Sequence, residues 1–300
     1  MSCRCLEAKI SFNTEALEKL VYEPEWVLEN QEEYWSSYPA QRYTRRWAEQ
    51  VKHQIDYDKW RKTIQAWSET PKAVRQTQEF LKNTEKIIKG RQVFVEKALP
   101  HVCSYLPDEA EMDIGVYFTA YIRPRAFASG EIVINVTATY WNNNPDNILN
   151  AMVHELFHVG YSYCRDRWKS HRDDAKFSIL ENIHNEGICT YVGYMAQDIF
   201  PAPDEKDFQM LDSDDMVTSH MGEVRKLLSL VDKIFEDELQ KQCWDQGVLG
   251  RSFYVTGAHM CRVIDGKLGK AGLKKTLLEG PVEFFTLYNS LVPDRDKILI

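Results

Sequence analysis

Hydrophobic positions follow a helical pattern along the first third of the chain. Between residues 14 and about 100 this pattern predicts a series of helices. The last of them is the clearest, because Thr70 can cap it, Pro71 suits a first helical position and Pro100 should end it. We therefore expect a helical N-terminal region over residues 1–105.

The period of the pattern changes at residue 112. Apolar and polar residues alternate over residues 112–119 and again over 132–136, and a period of two is typical of half-buried strands. A loop that contains Pro124 and Gly130 separates the two runs. We interpret them as an antiparallel pair of strands.

Longer helices should follow these strands. The first begins after Asn144, a good cap residue, has Pro145 in its first turn and should end between residues 161 and 164. The pattern predicts a second helix over residues 176–200 and an amphipathic third over 213–242, followed by shorter helices. The chain is therefore expected to be a mainly helical α+β protein with a small antiparallel sheet.

Composition narrows the expected partners and compartment. The 300 residues carry a net charge of −8, which argues against nucleic acid and anionic membranes as partners. No apolar run approaches the ~20 residues of a membrane span, and the N-terminus lacks the apolar core of a secretory signal. Seven scattered cysteines are then expected to be reduced thiols of a cytoplasmic protein, although Cys3 and Cys5 could contact a metal.

The predicted helix after Asn144 carries the candidate chemistry, in the order His154-Glu155-x-x-His158. Residues four apart lie one above the other on a helix, so both imidazoles reach one point and Glu155 lies beside it. Two neutral imidazoles begin a zinc site, and a neighbouring carboxylate can take a proton from a water that the metal activates. Burial of these groups in an apolar helix would be costly without a metal or other partners.

A catalytic zinc site needs a third protein ligand. At the spacing of the third metzincin histidine this chain has Cys164, so the better candidates lie on other elements. Glu186 on the next helix is the best candidate, because Gly187 permits close helix packing and Asn182 and Thr190, one turn away, could hydrogen-bond to the site. The weaker candidates are Glu181, His184 and His171.

Two motifs give the chain a family resemblance. The H-E-x-x-H motif followed by Asn185-Glu-Gly-Ile-x-Thr-Tyr191 resembles the gluzincin zinc peptidases, and is more closely similar to a branch of predicted zinc-dependent peptidases known mainly as uncharacterised domains. The Tyr-x-x-Gly-x-x-Met segment from Tyr254 to Met260 also looks like that branch. The resemblance covers roughly residues 112–280.

The resemblance implies a zincin-like catalytic region with an active-site helix pair. It makes His154, His158 and Glu186 ligands of Zn²⁺, Glu155 the general base, and Tyr254 the group that stabilises the oxyanion. The sequence departs from the thermolysin-like pattern at Thr190, where that pattern has an acidic residue that would support a ligand histidine. From the residues alone, His259 could replace Tyr254 as the oxyanion donor.

We therefore hypothesise a cytoplasmic, zinc-dependent metallopeptidase that acts on a peptide or small protein. Residues 106–300 would form the catalytic region and residues 1–105 would roof its cleft, unless the two form one continuous domain. The strand that ends at residues 136–139 could offer an edge to an extended substrate. Two alternatives stay open: a zinc hydrolase of a non-peptide amide or ester, and a non-catalytic binding protein that the metal stabilises.

Overall fold

The computed structural model describes residues 9–69, 71–110, 112–120, 125–137, 144–168, 174–231 and 233–300. These residues form a mainly helical chain with one four-stranded sheet. Contacts divide it into two compact units. The sheet unit consists of Ala8–Lys97 and Met112–Val159, and the helical unit consists mainly of Ala98–Glu111 and Gly160–Ile300. The boundary predicted after residue 105 and the roofing role of residues 1–105 stay predictions.

The sheet is mixed, in the order β1-β2-β4-β3. Its strands are β1 (Lys9–Asn13), β2 (Asp113–Thr119), β3 (Ala126–Ala128) and β4 (Ile132–Asn135). Both β1 and β4 run parallel to β2, and only β3 runs antiparallel, to β4. The predicted antiparallel pairing of the two alternating runs is therefore wrong. Strand β3 lies between the two runs in sequence and is antiparallel to β4. The direction of the chain therefore changes twice from β2 to β4, which leaves these two strands parallel.

Strand β4 is an inner strand of this sheet, because it pairs with β2 on one side and with β3 on the other. The expectation that the strand before the predicted zinc helix offers a free edge is therefore wrong for β4. The edges of the described sheet are β1 and β3. Residues 138 and 139, where that edge was expected to continue, lie outside the described residues.

Strand β1 was not expected from the sequence. It buries Ile10, and its Phe12 ring packs edge-on against Phe94 and Phe118 at centroid distances of 6.5 and 5.6 Å. The remaining elements of the sheet unit are helices, as predicted. They are α1 (Glu15–Tyr22), α2 (Pro24–Glu29), α3 (Gln31–Ser37), α4 (Pro39–Gln50), α5 (Tyr57–Glu69), α6 (Pro71–Lys89) and α7 (Arg91–Val93), with a π-helical segment at Phe94–Ala98.

Pro100 does not end the helix that was expected to run to Leu99. Helix α6 ends at Lys89, and Pro100 lies in the first turn of a new helix, α8 (Leu99–Cys103). A first turn tolerates proline, because the missing N–H would have no partner within the helix. The predicted cap Thr70 lies outside the described residues.

Helix α9 (Pro145–Arg165) begins in the sheet unit and continues into the helical unit, since the division falls after Val159. The helical unit otherwise contains α8 and the helices that follow α9. They are α10 (Ala175–Met195), α11 (Lys206–Leu211), α12 (Asp214–Leu230), α13 (Glu236–Gln242), α14 (Ser252–Glu279) and α15 (Pro281–Leu291), with a π-helical segment at Cys243–Leu249 and a short 3₁₀ turn at Asp294–Asp296.

Two helix boundaries in this unit differ from the prediction. The expected third helix, over residues 213–242, is divided into α12 and α13, which have residues 231–235 between them. After residue 242 the sequence predicted only shorter helices, whereas Ser252–Glu279 form the single long helix α14, which is kinked at Gly269, where φ is 66°. A positive φ is readily adopted by glycine, so the glycine bends this helix without ending it.

Helices α10 and α14 form the tightest packing of the helical unit. A Cβ atom on Gly187 would lie under 3.0 Å from the backbone of Gly257, and a Cβ on Gly257 would lie as close to the carbonyl oxygen of Ile183. The prediction that Gly187 permits close helix packing is confirmed, with α14 as the partner. Gly160 of α9 accommodates the side chain of Leu106.

The cysteines differ in oxidation state. Cys103 is disulfide-bonded, so the expectation of reduced thiols is wrong for this residue. The other described cysteines are not disulfide-bonded: Cys164, Cys189, Cys243 and Cys261. Cys3 and Cys5 lie outside the described residues.

No described helix combines the length and the apolar character that a membrane span requires.

Candidate metal centre

Helix α9 forms where the sequence predicts it. Its first turn begins at Pro145, and the side-chain Oδ1 of Asn144 accepts a hydrogen bond from the backbone N–H of Asp146 at 3.0 Å. This bond satisfies one of the N–H groups that a helix start leaves unpaired. The apolar face of the helix is buried, with Met152, Leu156 and other residues fully inaccessible. The hydrophobic core therefore fixes which way the remaining face points.

The remaining face carries both predicted histidines. The Nε2 atoms of His154 and His158 lie 3.0 Å apart, and their ring centroids lie 4.7 Å apart at an interplanar angle of 74°. Two nitrogens bound to one tetrahedral zinc at 2.0–2.1 Å would be about 3.3 Å apart. The pair therefore has a spacing that a single cation can bridge. Glu155, the neighbouring residue on the helix, is buried, with 9% of its surface exposed.

Helix α10 brings the third predicted ligand. It begins at a capped turn, where the carboxylate of Asp174 accepts a hydrogen bond from the backbone N–H of Phe177 at 2.7 Å. The ligand atoms of His154, His158 and Glu186 all lie within 4.8 Å of one another, and all three residues are half-buried. Two imidazoles and a carboxylate are a donor set of catalytic zinc sites, which keep the fourth position for water or substrate.

Two contacts within the helical unit hold the later turns of α9 against α10. The hydroxyl of Tyr161 lies 3.2 Å from Nδ1 of His184, and Arg165 pairs with the carboxylate of Glu181. Both contacts lie after His158 in α9 and before Glu186 in α10. They therefore hold the last turns of α9 against the first half of α10 within the helical unit.

The weaker candidates for the third ligand have other partners or lie outside the described residues. His184 is fully buried; its Nδ1 lies 3.2 Å from the Tyr161 hydroxyl and its Nε2 lies 3.1 Å from Oγ1 of Thr276. Burial lowers the pKa of His184 to about 3. Glu181 is held by Arg165, and His171 is not among the described residues.

The residues expected to hydrogen-bond to the ligands take different positions. Asn182 is exposed, and its side chain donates to the carbonyl oxygen of Ser178 in its own helix at 2.8 Å. Thr190 is buried, with 1% of its surface exposed, and its hydroxyl has no hydrogen-bond partner among the described residues. The amide nitrogen of Asn182 thus bonds within its own turn of the helix, and the role predicted for this residue stays a prediction.

The predicted oxyanion donor, Tyr254, lies in the first turn of α14 and is buried, with 8% of its surface exposed. Three residues further along the helix, Gly257 contacts Gly187, the residue after Glu186. The tight packing of α10 and α14 therefore brings the first turns of α14 towards the helix that carries the third ligand.

Sequence reasoning missed Arg251, which precedes α14. Its guanidinium carbon lies 3.2 Å from the ring centroid of Tyr254, and its Nε donates to Oδ1 of Asp207 at 2.9 Å. Burial favours the neutral form of Arg251, but the nearby charge of Asp207 raises its pKa above the usual value, with a smaller contribution from Glu186. Arg251 lies just before the Tyr254–Met260 segment and outside that motif, so no pattern in the sequence indicated it.

His259, the alternative donor, lies further along α14. Its ring packs edge-on against Tyr288 at 6.2 Å, and its Nδ1 lies 3.5 Å from the guanidinium of Arg262. Burial and the charge of Arg262 lower the pKa of His259 to about 4. These contacts are with α14 itself and with α15.

Comparison with known proteins supports the metal chemistry. A family model described as "Putative zinc dependent peptidase (DUF5700)" matches residues 12–295. No curated protein and no solved structure matches the chain. The resemblance to a family of zinc-dependent peptidases is thus confirmed, whereas membership of the gluzincins stays a prediction. Since the match extends over nearly all of its 300 residues, the chain belongs to this family, for which zinc is the metal.

Proposed function

We propose that this protein is a metallopeptidase in which His154, His158 and Glu186 hold one zinc ion. The observation that carries the proposal is the convergence of these three ligand atoms within 4.8 Å. The chemistry of the set fits zinc, which binds imidazole nitrogen and carboxylate oxygen and keeps a fourth position open in its catalytic sites. The family description supports the same metal.

Bound zinc polarises a carbonyl group and lowers the pKa of water towards about 7. Glu155 follows His154 on α9 and is the carboxylate next to the ligand pair. We assign it the role of general base, which accepts the proton of the attacking water and passes it to the leaving amine. Its burial keeps competing solvent away from this proton.

We assign Tyr254 the role of hydrogen-bond donor to the oxyanion that forms during attack. A donor placed where negative charge develops stabilises the transition state more than the substrate. The support for Tyr254 is its place on α14, one turn before the contact between Gly257 and Gly187. His259 is less suitable, because Arg262 and Tyr288 already surround its ring.

We propose that an extended peptide is the substrate and that it pairs with the edge strand β3. Among the described residues β3 pairs only with β4, at Ala126–Ala128, which leaves its other side for a further strand. We do not extend the proposal to a cytoplasmic location, because the disulfide at Cys103 is typical of proteins from oxidising compartments.

The test compares Glu155→Gln with the unchanged protein on a mixed peptide library, with cleavage followed by mass spectrometry. Glutamine keeps the shape of the side chain but cannot accept the proton, so we expect about one zinc per chain and a loss of cleavage of at least 100-fold. Asp166→Asn is the matched control, since Asp166 is an exposed carboxylate just beyond α9. It should leave both quantities unchanged.

Two results would contradict the proposal. Cleavage that persists in Glu155→Gln would exclude Glu155 as the base. A second library contains non-peptide amides and esters. If the unchanged protein binds zinc but hydrolyses only members of this second library, it is a zinc hydrolase of another class and not a peptidase.

A further inference from the structure

Arg251 has an unusual backbone conformation. It lies between the π-helical segment Cys243–Leu249 and α14, and its φ of 65° places it in the left-handed region. A residue other than glycine is strained in that region and persists there only where its surroundings fix it. π-Helical segments are also frequent at functional sites. The conformation therefore indicates that the position of the Arg251 side chain matters.

Asp207 fixes this side chain. Nε of Arg251 lies 2.9 Å from Oδ1 and 3.2 Å from Oδ2 of the carboxylate, and Nη2 also contacts Oδ2. The Asp207 side chain is only 4% exposed. A planar guanidinium bound on two atoms has a defined orientation, so the ion pair fixes the plane of the guanidinium as well as its place.

A second contact fixes the residue after Arg251. The hydroxyl of Ser252 lies 3.0 Å from Nδ1 of His220 on α12, and Ser252 is 2% exposed. The start of α14 is thus held to two different helices through two consecutive residues, by Asp207 on α11 and by His220 on α12. Little freedom remains for the backbone that precedes Tyr254.

The oriented guanidinium lies against Tyr254. Its carbon is 3.2 Å from the centroid of the phenol ring, so the cation covers one face of that ring and excludes other positions of the side chain. A cation over an aromatic face also attracts it. We propose that Arg251, held by Asp207, is a positioning residue that fixes the Tyr254 phenol for its role at the metal site. This proposal rests on the function proposed above for Tyr254.

The test is a double-mutant cycle that needs no knowledge of the natural substrate. The full-length protein is loaded with Co²⁺ in place of zinc, and binding of acetohydroxamate is followed by visible absorption. The oxygen atoms of this probe bind the metal and can accept the hydrogen bond of the oxyanion donor. We expect Tyr254→Phe to weaken binding about 10-fold, the equivalent of one hydrogen bond of about 1.4 kcal/mol.

Arg251→Gln should weaken probe binding to a similar degree, because the phenol is no longer held in place. The double variant should bind no more weakly than Tyr254→Phe alone, since without the hydroxyl there is nothing left to position. Asp207→Asn, which keeps the arginine but removes its anchor, should give the same pattern and serves where Arg251→Gln does not fold. On a cleaved peptide, both anchor variants should lower kcat and leave KM unchanged.

Arg45→Gln is the matched control. Arg45 also pairs with a carboxylate through two atoms, at 2.8 and 2.7 Å from Glu32, and its charge lies 5.5 Å from the ring of Tyr57. It belongs to the sheet unit and to no part of the proposed site. Its replacement should leave probe binding unchanged.

Three outcomes would overturn the proposal. They are unchanged probe binding in Tyr254→Phe, unchanged binding in both anchor variants, and losses that add in full in the double variant. A protein that does not bind Co²⁺ would instead refute the proposed metal site, and this inference with it. The two failures are therefore distinguishable.

Discussion

His184 and Glu186 lie two residues apart on α10 but in opposite surroundings. The ring of His184 is fully buried, stacks on Phe284 at a centroid distance of 4.5 Å, and has a hydroxyl within 3.2 Å of each nitrogen. Glu186 is half-buried and lies with the two imidazoles of α9. Residues two apart point about 200° apart on a helix, which explains how one helix provides both environments.

The difference shows why residue type alone does not identify a metal ligand. A neutral imidazole has one donor and one acceptor nitrogen, and in His184 Tyr161 and Thr276 engage both. No lone pair is left for a metal. Nε2 of His154 and Nε2 of His158, by contrast, face each other at 3.0 Å. Two hydroxyl partners around one ring distinguish the packed histidine from the candidate ligand pair, whose ring nitrogens face each other.

The largest expected effect is on zinc affinity. Glu186→Ala removes the carboxylate that completes the set of three ligands, and we expect the zinc dissociation constant to rise by more than about 100-fold, beyond the loss typical of residues that only support a ligand. Competition with a chromophoric chelator measures this constant.

His184→Gln is the matched comparison on the same helix. It should leave zinc affinity within a few-fold of the original value. It should lower the free energy of unfolding by about 1–3 kcal/mol, because a buried hydroxyl of Tyr161 or Thr276 loses its partner. The opposite pattern, in which His184→Gln loses zinc and Glu186→Ala keeps it, would exchange the two assignments.

Much of the candidate site follows from local sequence rules. The cap and proline that begin α9, and the four-residue spacing of its histidines, are properties of a single helix, and the structure has that helix at Pro145–Arg165. Glu186 was selected because Gly187 follows it, and Gly187 does lie in a close helix contact. These residues could be predicted from local patterns, because the signal for each lies within one or two turns of a helix.

The sheet was predicted less well, because its arrangement depends on distant pairings. The alternation of apolar and polar residues has the same period in parallel and antiparallel strands. It therefore indicated where β2 and β4 lie in the sequence but not their relative direction. The reversal depends on β3, whose three residues, Ala126–Ala128, are too few to show a period. Strand β1 pairs with β2 across about 100 residues, from Lys9 to Asp113.

Long-range partners also explain what the site prediction missed. Arg251 and Asp207 are 44 residues apart, and Thr276 is 92 residues from His184. No local pattern joins either pair, and nothing in the sequence indicates the positive φ of Arg251. Asn182 was placed by helical spacing alone, which gives a face of the helix but not the carbonyl to which a short side chain bonds.

The next prediction tests the packing that brings α14 to the Glu186 side of α10. In Gly257→Ala the new methyl group would meet the backbone at Ile183 and Gly187, so the helices must separate. We expect a loss of about 1–3 kcal/mol in the free energy of unfolding, as in other overpacked cores, measured by urea denaturation.

Gly266→Ala is the control for helix propensity, since Gly266 lies in the same helix and a Cβ there meets nothing within 4 Å. Alanine is favoured over glycine in a helix by about 1 kcal/mol, so this variant should be as stable as the unchanged protein or more stable. If Gly257→Ala and Gly266→Ala change the free energy of unfolding equally, the close contact of Gly257 with α10 does not limit how tightly α10 and α14 pack.

The smallest expected effect concerns His259, which has a pKa lowered to about 4 by burial and by Arg262. An unfolded histidine has a pKa of about 6.5. Above that pH both states are neutral and His259 adds no pH dependence. Between about 6.5 and 4 the unfolded state binds one proton more, so stability falls on acidification by at most about 1.4 kcal/mol per pH unit.

Urea unfolding of the unchanged protein and His259→Gln at pH 7.5 and 5 should therefore show a stability difference that shifts in favour of the variant at the lower pH. A difference that stays constant would mean that His259 binds its proton as readily in the folded protein as in the unfolded chain. The surroundings of His259 would then resist protonation less than those of the fully buried His184.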